Sequence, residues 1–403
     1  MSRFRLFPLP DVGDVFVTVA ASDTPDSIKM FADYKCTGKP DVGGDEAVIG
    51  EAVSNNVSVL LLPGTFWLSD PVSIPSNRLI QGFGHATVVK AKSGYGDKPL
   101  LSLSSATDVV VRGLTLDANS SYTGVSIDRC SRVVLDNVVV KDVVSKGIGV
   151  TDSDNVDVRN CDVINSSFRY YFGVYFYGSS RRISNIRVIG CRVIMGGRGI
   201  NIERCDRAVV SENVVEDQDN AGIFCSSLYS SVISKNVISK TGFGIYEIGG
   251  MYNAIVGNSI QGSGYLWSGC SPFTQGMFVY GEKFTVISGN TVFRSKGHGI
   301  HIQSCEGVIV SNNVVVASSQ TSNNSCDNVY IVASNYCLVS GNIIRKGDEA
   351  NKPRYGLYVT GSYNVIEGNN LYDSGVSGDI SDAGTNTRKR DNVGLTGAWL
   401  TDS

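Results

Sequence analysis

A set of regularly spaced positions in this sequence carries mostly aromatic side chains. Each lies two residues after the first residue of a recurring pattern, Gly-apolar-x-apolar, in which Asn328 replaces the glycine once. In order, they are Ser126, Gly149, Tyr175, Asn201, Phe224, Tyr246, Phe278, His301, Tyr330 and Tyr358. Because alternate residues of a strand face opposite sides, this position points away from the apolar side. Seven of the ten are nevertheless aromatic or histidine.

Aromatic rings beside polar side chains are typical of saccharide-binding surfaces, since ring faces pack on the C–H faces of sugars. We therefore expect a polysaccharide or cell-surface glycan to bind along this row. The expected binding residues are Tyr175, Arg198, Phe224, Tyr246, Phe278, His301, Tyr330 and Tyr358. Two other interpretations stay open, which are stacking that stabilises the sheet and contact with another subunit.

Several carboxylates are candidates for acid–base chemistry beside this row. Glu203 follows Asn201 on the same outward side, whereas Asp217 and Asp219 precede the pattern that begins at Gly222. Glycosidases place two carboxyl groups about 5 to 9.5 Å apart, which residues of neighbouring repeats can reach. The alternative is that all three are solvated turn residues.

Glu247 occupies a position that other repeats fill with inward apolar residues such as Ile202 and Val279. Burial disfavours the charged form of a carboxyl group, so an inward Glu247 would have a raised pKa and act as an acid. A local bulge or a buried hydrogen bond would explain the residue without catalysis.

The repeat itself predicts the elements that position these residues. Gly-apolar-x-apolar is followed, six to nine residues later, by apolar-x-Asn-x-apolar, and the pattern recurs every 22 to 32 residues from Gly124 to Gly356. Repeats of this length stack as single structural units, and strands this short must pair with those of the next repeat. We predict an all-β, right-handed, single-stranded parallel β-helix, its hand following from the general chirality of crossovers. Asparagines should stack as a ladder at one turn because they tolerate left-handed backbone and can bond the backbone of their neighbours, at positions Asn137, Asn213, Asn236, Asn258, Asn290, Asn313, Asn342 and Asn369.

The chain divides by pattern into a lead-in (1–30), a capping helix with the first coils (31–90), the β-helix coils (91–394) and a tail (395–403). Acidic residues followed by apolar residues at helical spacing indicate the short helix near 45–53. Four insertions fall on one corner of the coils, a common place for a binding face, at 166–172, 262–275, 318–327 and 346–355.

Charge and cysteine usage exclude several classes. The net charge of -3 gives no electrostatic case for nucleic acid, and no apolar run is long enough for a membrane span. No CxxC or CxxH occurs, so we expect neither a metal site nor a cofactor. Cys161 and Cys191 occupy the Asn position and should be buried thiols, as should the inward Cys225. Cys270 and Cys326 form the one pair that we consider for a disulfide.

The N-terminal segment resembles a known family. The order Asp33-Tyr34-x-Cys36-x-Gly38, Leu61-Leu62-Pro63-Gly64-Thr65-Phe66, Ile74-Pro75-Ser76-Asn77 and Gly82-Phe83-Gly84 is similar to the N-terminal module of pectate-lyase-superfamily β-helix proteins, especially those of phage and virus tail or spike proteins. The Asn-marked coils extend the resemblance to about residue 394. The superfamily includes lyases, hydrolases, epimerases and binding proteins, so the resemblance implies a fold more than a reaction. Gly297-His298-Gly299 also resembles a motif of polygalacturonases, which makes His298 a catalytic candidate.

Two functional hypotheses follow from the sequence. In the first, the protein binds and cleaves a polysaccharide as a hydrolase or lyase, on a virion or an extracellular surface reached without a classical signal peptide. In the second, it is a non-catalytic structural or adhesive spike, such as a homotrimer, whose aromatic row is a subunit interface.

Overall fold

The computed structural model describes residues 16–164, 171–264 and 274–394, together with the backbone of 399–400. Its first elements belong to the N-terminal end of the fold. They are β1 Val17–Ala20, α1 Asp26–Lys29, β2 Tyr34–Lys35, α2 Asp45–Asn55, β3 Ser58–Leu61, β4 Gly64–Leu68, β5 Val72–Ser73, β6 Arg78–Ala91, β7 Pro99–Ser104, β8 Thr107–Asp128 and β9 Ser131–Thr151.

The central strands continue the same winding, several of them bending through a corner without a break. They are β10 Asp154–Arg159, β11 Asp162–Ile164, β12 Phe172–Tyr177, β13 Ile183–Ser184, β14 Ile186–Ile189, β15 Arg192–Asp206, β16 Val209–Ser211, β17 Val214–Tyr229, β18 Val232–Ser234, β19 Val237–Ile248, β20 Ala254–Val256 and β21 Ser259–Gln261.

The last strands are shorter and are separated by turns. They are β22 Met277–Tyr280, β23 Val286–Ser288, β24 Thr291–Phe293, β25 Ile300–Gln303, β26 Ile309–Ser311, β27 Val314–Val316, β28 Val329–Val332, β29 Leu338–Ser340, β30 Ile343–Arg345, β31 Tyr355–Val359, β32 Val365–Glu367, β33 Gly378–Asp382, β34 Arg388–Arg390, β35 Asn392–Val393 and β36 Trp399–Leu400.

These strands form a right-handed parallel β-solenoid of about 14 turns, which confirms the predicted fold class. The strands of the coils pair in parallel with the equivalent strands of the next coil, and among the described strands β35 and β36 alone pair antiparallel. The inward residues Ile200, Ile223 and Ile245 are neighbours in this register and fully buried. One continuous apolar core therefore runs along the solenoid axis.

Helix α2 packs at the N-terminal end, as the sequence predicts. Ile49, Ala52 and Val53 are buried against the first coils. Asp45, at the start of the helix, accepts hydrogen bonds from the backbone N–H groups of Gly38 (2.6 Å) and Trp67 (2.8 Å). The helix thereby covers apolar residues that an open solenoid end would expose. The division of the chain at residues 30, 90 and 394 stays a prediction.

The asparagine ladder is present and its side chains bond neighbouring backbone groups as predicted, but the asparagines are not the left-handed residues of the turn. Asn213 and its successors are fully buried, and the residue before each of them takes the left-handed backbone, as Glu212 does with φ of 59°. Asn236 Nδ2 donates to Asn258 Oδ1 (2.9 Å) and to the carbonyl oxygen of Val210 (3.0 Å). The ladder is therefore a chain of inward amides that satisfies buried backbone groups.

The ladder differs from the prediction at both ends. Asn137 is exposed with φ of 54°, so it occupies the turn position and not the ladder. Asn392, which the pattern did not include, extends the ladder by accepting the Asn369 side-chain amide at 2.9 Å. Cys161 and Cys191 hold the ladder position in earlier coils, as predicted, and both are buried free thiols.

Two further sequence predictions concern the cysteines and membrane-spanning segments. Cys225 is buried and free, and Cys326 is disulfide-bonded. Cys270, the partner proposed for it, lies outside the described residues. In the part of the chain that the structure describes, neither helix is long and apolar enough to cross a membrane.

Candidate functional site

The outward row of aromatic residues is in the predicted register. Phe224 pairs with Tyr246, Tyr246 with Phe278, Phe278 with His301, His301 with Tyr330, and Tyr330 with Tyr358. Tyr175 pairs with Asn201 and Asn201 with Phe224, which completes the N-terminal part of the row. We call Tyr175, Asn201, Phe224, Tyr246, Phe278, His301, Tyr330 and Tyr358 the aromatic column.

The side chains of the aromatic column are not uniformly open to solvent. Phe224 is 6% exposed and Phe278 8%, because both pack with Phe243 in a small apolar cluster. The tyrosines of the column, by contrast, are half-buried. Open surface for a ligand is therefore provided by Tyr175, Tyr246, Tyr330 and Tyr358.

A second row lies beside the column and was missed by the sequence analysis. It consists of the residue directly before each opening position, and includes Lys146, Arg198, Phe243, His298 and Asp327. Several of its members pack on the column. Lys146 Nζ lies 4.5 Å from the centre of the Tyr175 ring, and the Phe243 and Tyr246 ring centres are 4.5 Å apart. Aligning this position from coil to coil would have identified it.

The first polar group on the column is the Arg198 cluster, which we define as Arg198, Asn201, Glu203 and Phe224. Arg198 Nη1 donates to Asn201 Oδ1 (2.8 Å), and Asn201 Nδ2 donates to Glu203 Oε1 (2.8 Å). The guanidinium carbon lies 3.7 Å from the Phe224 ring centre. Burial lowers the pKa of Arg198, against the raising effect of Glu203 3.8 Å away. The cluster presents a fixed cation beside a partly exposed carboxylate.

The second polar group is the His298–Arg354 cluster, defined as His298, His301, Asp327, Tyr330 and Arg354. Asp327 is fully buried, and Arg354 donates to both of its oxygens, Nε at 3.1 Å and Nη2 at 2.8 Å. The His298 ring stacks on Tyr330 with centres 4.2 Å apart and planes 7° apart. Burial is the largest influence on Asp327 and raises its pKa, while Arg354 acts in the opposite direction.

His298 is held in one tautomer. Its Nδ1 accepts the backbone N–H of Asp327 at 2.9 Å, so the neutral ring carries its proton on Nε2. Burial, with His301 and Arg354 adding to it, lowers the pKa of His298 to about 3. At neutral pH its Nε2 is thus a hydrogen-bond donor and not a base.

His301 has no hydrogen-bond partner among the described residues for either ring nitrogen. It is 8% exposed and lies between Phe278 (4.6 Å) and Tyr330 (4.8 Å), measured between ring centres. Burial lowers its pKa to about 4. A neutral imidazole offers one donor and one acceptor, and leaving both unsatisfied costs free energy.

The lowered pKa values of His298 and His301 predict that the folded protein loses stability in acid. Their folded pKa values lie below the value of about 6.5 for an unfolded histidine, so the unfolded state binds protons first as pH falls. Stability should be fully present above about pH 6.5 and decline toward pH 4 and pH 3. Denaturation midpoints measured from pH 7 to pH 4 should fall less steeply in His301→Phe than in wild type. Tyr330→Phe, which keeps both histidines, should retain the wild-type slope; equal slopes in all three proteins would contradict this assignment.

The structure does not bring the predicted carboxylates into one pair. Asp217 and Asp219 lie half-buried at the bend of β17, and Asp217 takes φ of 58°. Glu203, on the preceding coil, pairs in register with Ser226, well beyond that bend. Asp327 lies five coils from Glu203, or about 24 Å at 4.8 Å per coil. That separation is too large for a glycosidase pair.

Glu247 is inside the solenoid. Its register is regular, between Cys225 and Val279, and no bulge turns it outward. Oε1 accepts a hydrogen bond from Asn253 Nδ2 (2.7 Å), whereas Oε2 has no hydrogen-bond partner among the described residues. Burial and the nearby Glu282 raise its pKa well above the ordinary value. Complete burial keeps Glu247 from contact with a surface ligand, which corrects its place among the catalytic candidates.

A family model for "Periplasmic copper-binding protein (NosD)" matches residues 85–266 and 264–393. The chain belongs to the NosD family. In the described ranges of this NosD-family chain no three His, Cys, Asp or Glu side chains are grouped so as to hold a metal ion, so these residues do not fit copper. His298 already uses Nδ1 to accept the backbone N–H of Asp327.

Solved structures with the same fold include three informative neighbours. Tailspike protein 3 of bacteriophage CBA120 is 12% identical with a TM-score of 0.73, covering 91% of this chain and 61% of its own. The N-terminal fragment of bacteriophage Phi29 gene product 12 is 16% identical with a TM-score of 0.62, covering 91% and 71%. The A-module of the Azotobacter vinelandii mannuronan C-5 epimerase AlgE6 is 17% identical with a TM-score of 0.53, covering 87% and 97%.

These similarities confirm the predicted resemblance at the level of fold. The chain spans about three fifths of the length of the CBA120 tailspike. No curated protein sequence matches it.

Proposed function

We propose that this protein binds a polysaccharide along the aromatic column, outside the cytoplasm, on a virion or an extracellular surface. The observation that carries the proposal is a row of half-exposed tyrosines lying between two arginines held by fixed hydrogen bonds. From the Arg198 coil to the Tyr358 coil the row spans six steps, or about 29 Å. That length suits several consecutive sugar rings, and the rings of the column supply the apolar faces that sugars pack on.

The polar groups of the column suit hydroxyl recognition. His298 donates through Nε2, and the neutral His301 can both donate and accept, as a sugar hydroxyl also does. Arg198 and Arg354 are pre-organised by their bonds to Asn201 and Asp327, which reduces the entropy lost on binding. The names of neighbours with this fold, a phage tailspike and an alginate-modifying epimerase module, are compatible with a glycan ligand.

For cleavage of the polysaccharide, the proposal includes the Arg198 cluster alone. Glu203 is the partly exposed carboxylate there, with Asp217 and Asp219 on the next coil. The fixed tautomer of His298 argues against its use as a base. The separation of the carboxylates favours binding without hydrolysis. In this alternative the protein is a non-catalytic adhesive or structural spike, including a homotrimeric one.

The experiment is a binding assay over a panel of neutral and acidic polysaccharides, with reducing ends and ultraviolet-absorbing unsaturated ends measured in the same samples. We expect Tyr246→Ala/Tyr358→Ala to weaken binding about 100-fold, since each aromatic contact contributes about 1 to 1.5 kcal/mol. Glu203→Gln should abolish any product while leaving binding in place.

The matched control is Tyr122→Ala/Tyr372→Ala, which removes two exposed tyrosines that are not part of the aromatic column. This variant should bind as wild type does. Absence of binding to every polysaccharide, or equal binding by the two double variants, would overturn the proposal.

A further inference from the structure

One outer face of the solenoid carries no charged residue over six consecutive strands. The strands are β16, β18, β20, β23, β26 and β29, each with its middle residue buried and its two flanking residues outward. The outward residues, which we call the Val/Ser face, are Val209, Ser211, Val232, Ser234, Ala254, Val256, Val286, Ser288, Ile309, Ser311, Leu338 and Ser340. They form a regular array of apolar and hydroxyl side chains.

The same sheet is charged on both sides of this array. In the coils before it, Arg159 pairs with Asp136 (3.2 Å) and Arg187 with Asp157 (3.3 Å). In the coils after it, Arg390 forms an ion pair with Glu367. The strands of the Val/Ser face therefore carry no charge, and the Lys235–Glu212 ion pair (3.5 Å) lies at the turn beside them. Depletion of charged residues is the compositional mark of an interface core.

Exposed aromatic residues border the Val/Ser face along one corner. Tyr252, Phe284, Tyr336 and Tyr363, which we call the aromatic edge, are 59%, 46%, 60% and 53% exposed. All four take left-handed backbone, with φ between 52° and 59°. Tyr252 stacks on Phe284 with ring centres 5.6 Å apart, and Tyr336 on Tyr363 at 5.3 Å. The equivalent turn residue is left-handed in other coils too, as Arg207 is with φ of 56°. The fold therefore sets the conformation of this corner, and what distinguishes these coils is that the corner carries exposed aromatic side chains.

We propose that the Val/Ser face and the aromatic edge together form an interface between copies of this chain. A glycan is a poor match, since the face offers serine hydroxyls but no charged or amide side chain to orient it. A second copy presents an array with the same spacing of about 4.8 Å, so the two surfaces can interdigitate coil by coil over the whole length. A partner protein without the same coil-to-coil spacing would match only part of the Val/Ser face.

The available area suits such a contact. Six strands at about 4.8 Å and a width of three residues at about 3.3 Å give roughly 300 Å² of flat surface. Four half-exposed aromatic side chains add about 100 Å² each, because such residues bury about 150 to 250 Å² when fully covered. The result, about 700 Å² per copy, is within the range of about 600 to 1,000 Å² that each partner contributes to a standard stable interface. This surface is distinct from the aromatic column, so the inference does not depend on saccharide binding.

The test is the solution mass of the full chain by light scattering and sedimentation. We expect wild type to have a small whole-number multiple of 43.1 kDa. Val232→Lys/Ile309→Lys should have the mass of one copy, with association between copies weakened about 100-fold or more, because two unpaired charges would be buried in each contact. Circular dichroism and thermal denaturation establish that the variant is folded.

The matched control is Val110→Lys/Val134→Lys, which adds the same charges to outward positions of this sheet in the charged coils, away from the Val/Ser face. It should keep the wild-type mass. If the first double variant does not fold, Tyr336→Ser/Tyr363→Ser replaces it, since both tyrosines are exposed in the single chain. The inference is overturned by a wild-type mass of 43.1 kDa, by variants of this face that stay assembled, or by a control that also dissociates.

Discussion

Asn290→Ala is expected to destabilise the protein by about 4 kcal/mol, because the backbone N–H and one amide hydrogen of Asn258 lose their acceptor, at a cost of about 1 to 3 kcal/mol each, and a cavity is left. Asn290 Oδ1 accepts the backbone N–H and the side-chain amide of Asn258, both at 2.9 Å. Its Nδ2 donates to the carbonyl oxygen of Ile255 (2.9 Å) and to Asn313 Oδ1 (3.0 Å). All of these groups are buried, so water cannot replace the lost partner.

Equilibrium denaturation gives the loss of stability, and hydrogen–deuterium exchange gives its location. Since each coil contacts only its neighbours, the backbone N–H of Asn258 should exchange fastest and the effect should fade within a few coils. Asn370→Ala is the control, because Asn370 is exposed and accepts a hydrogen bond from Arg345 at 2.8 Å. It should cost less than about 1 kcal/mol. A similar cost in both variants would show that burial of the ladder is not what stabilises the coils.

The sequence predicts the coil register well because one local rule applies to every coil. Neighbouring side chains pack directly against the glycine that opens each pattern. A Cβ at Gly222, for example, would lie 2.5 Å from the side chain of Ile238. This contact fixes the phase of the strand, and strict alternation then places Tyr246 and Phe278 outward. The asparagine positions followed from the same phase, although alternation alone does not tell an inward amide from a left-handed turn residue.

The polar clusters were harder to predict because insertions have no register. Asp327 ends one insertion and Arg354 lies one residue before the end of the next, and only the folded chain places Arg354 across both carboxylate oxygens. His298 was identified by a motif, but the backbone N–H that fixes its tautomer belongs to the following coil. Exposure was misjudged for Phe278, since Phe243 covers it from a position that the column does not include. The Val/Ser face was overlooked because an absence of charge becomes visible only when one face is viewed as a whole.

Glu247→Val is expected to stabilise the protein by about 2 kcal/mol at pH 7, since replacing a buried ionisable group by a packed apolar one commonly gains 1 to 4 kcal/mol. Neighbouring coils already hold Cys225 and Val279 at this position. Asn253 Nδ2 would keep its bonds to the carbonyl oxygen of Leu228 (2.9 Å) and to Glu282 Oε2 (3.2 Å). The substitution therefore removes a costly carboxyl group without orphaning its donor.

The pH dependence gives this prediction its sharper form. The pKa of Glu247 is raised in the folded state by burial and by Glu282, so the folded protein holds this proton more tightly than the unfolded chain does. Its contribution to stability is fully present below the unfolded value of about 4.3 and is lost as pH rises through the folded pKa. The advantage of Glu247→Val in denaturation midpoint should thus be largest at neutral pH and vanish near pH 4. Glu306→Gln, which removes a half-exposed partner of Lys283 at 2.9 Å, should show no comparable gain at any pH. A gain from Glu247→Val that does not change with pH would mean that packing, and not the proton, limits stability at this coil.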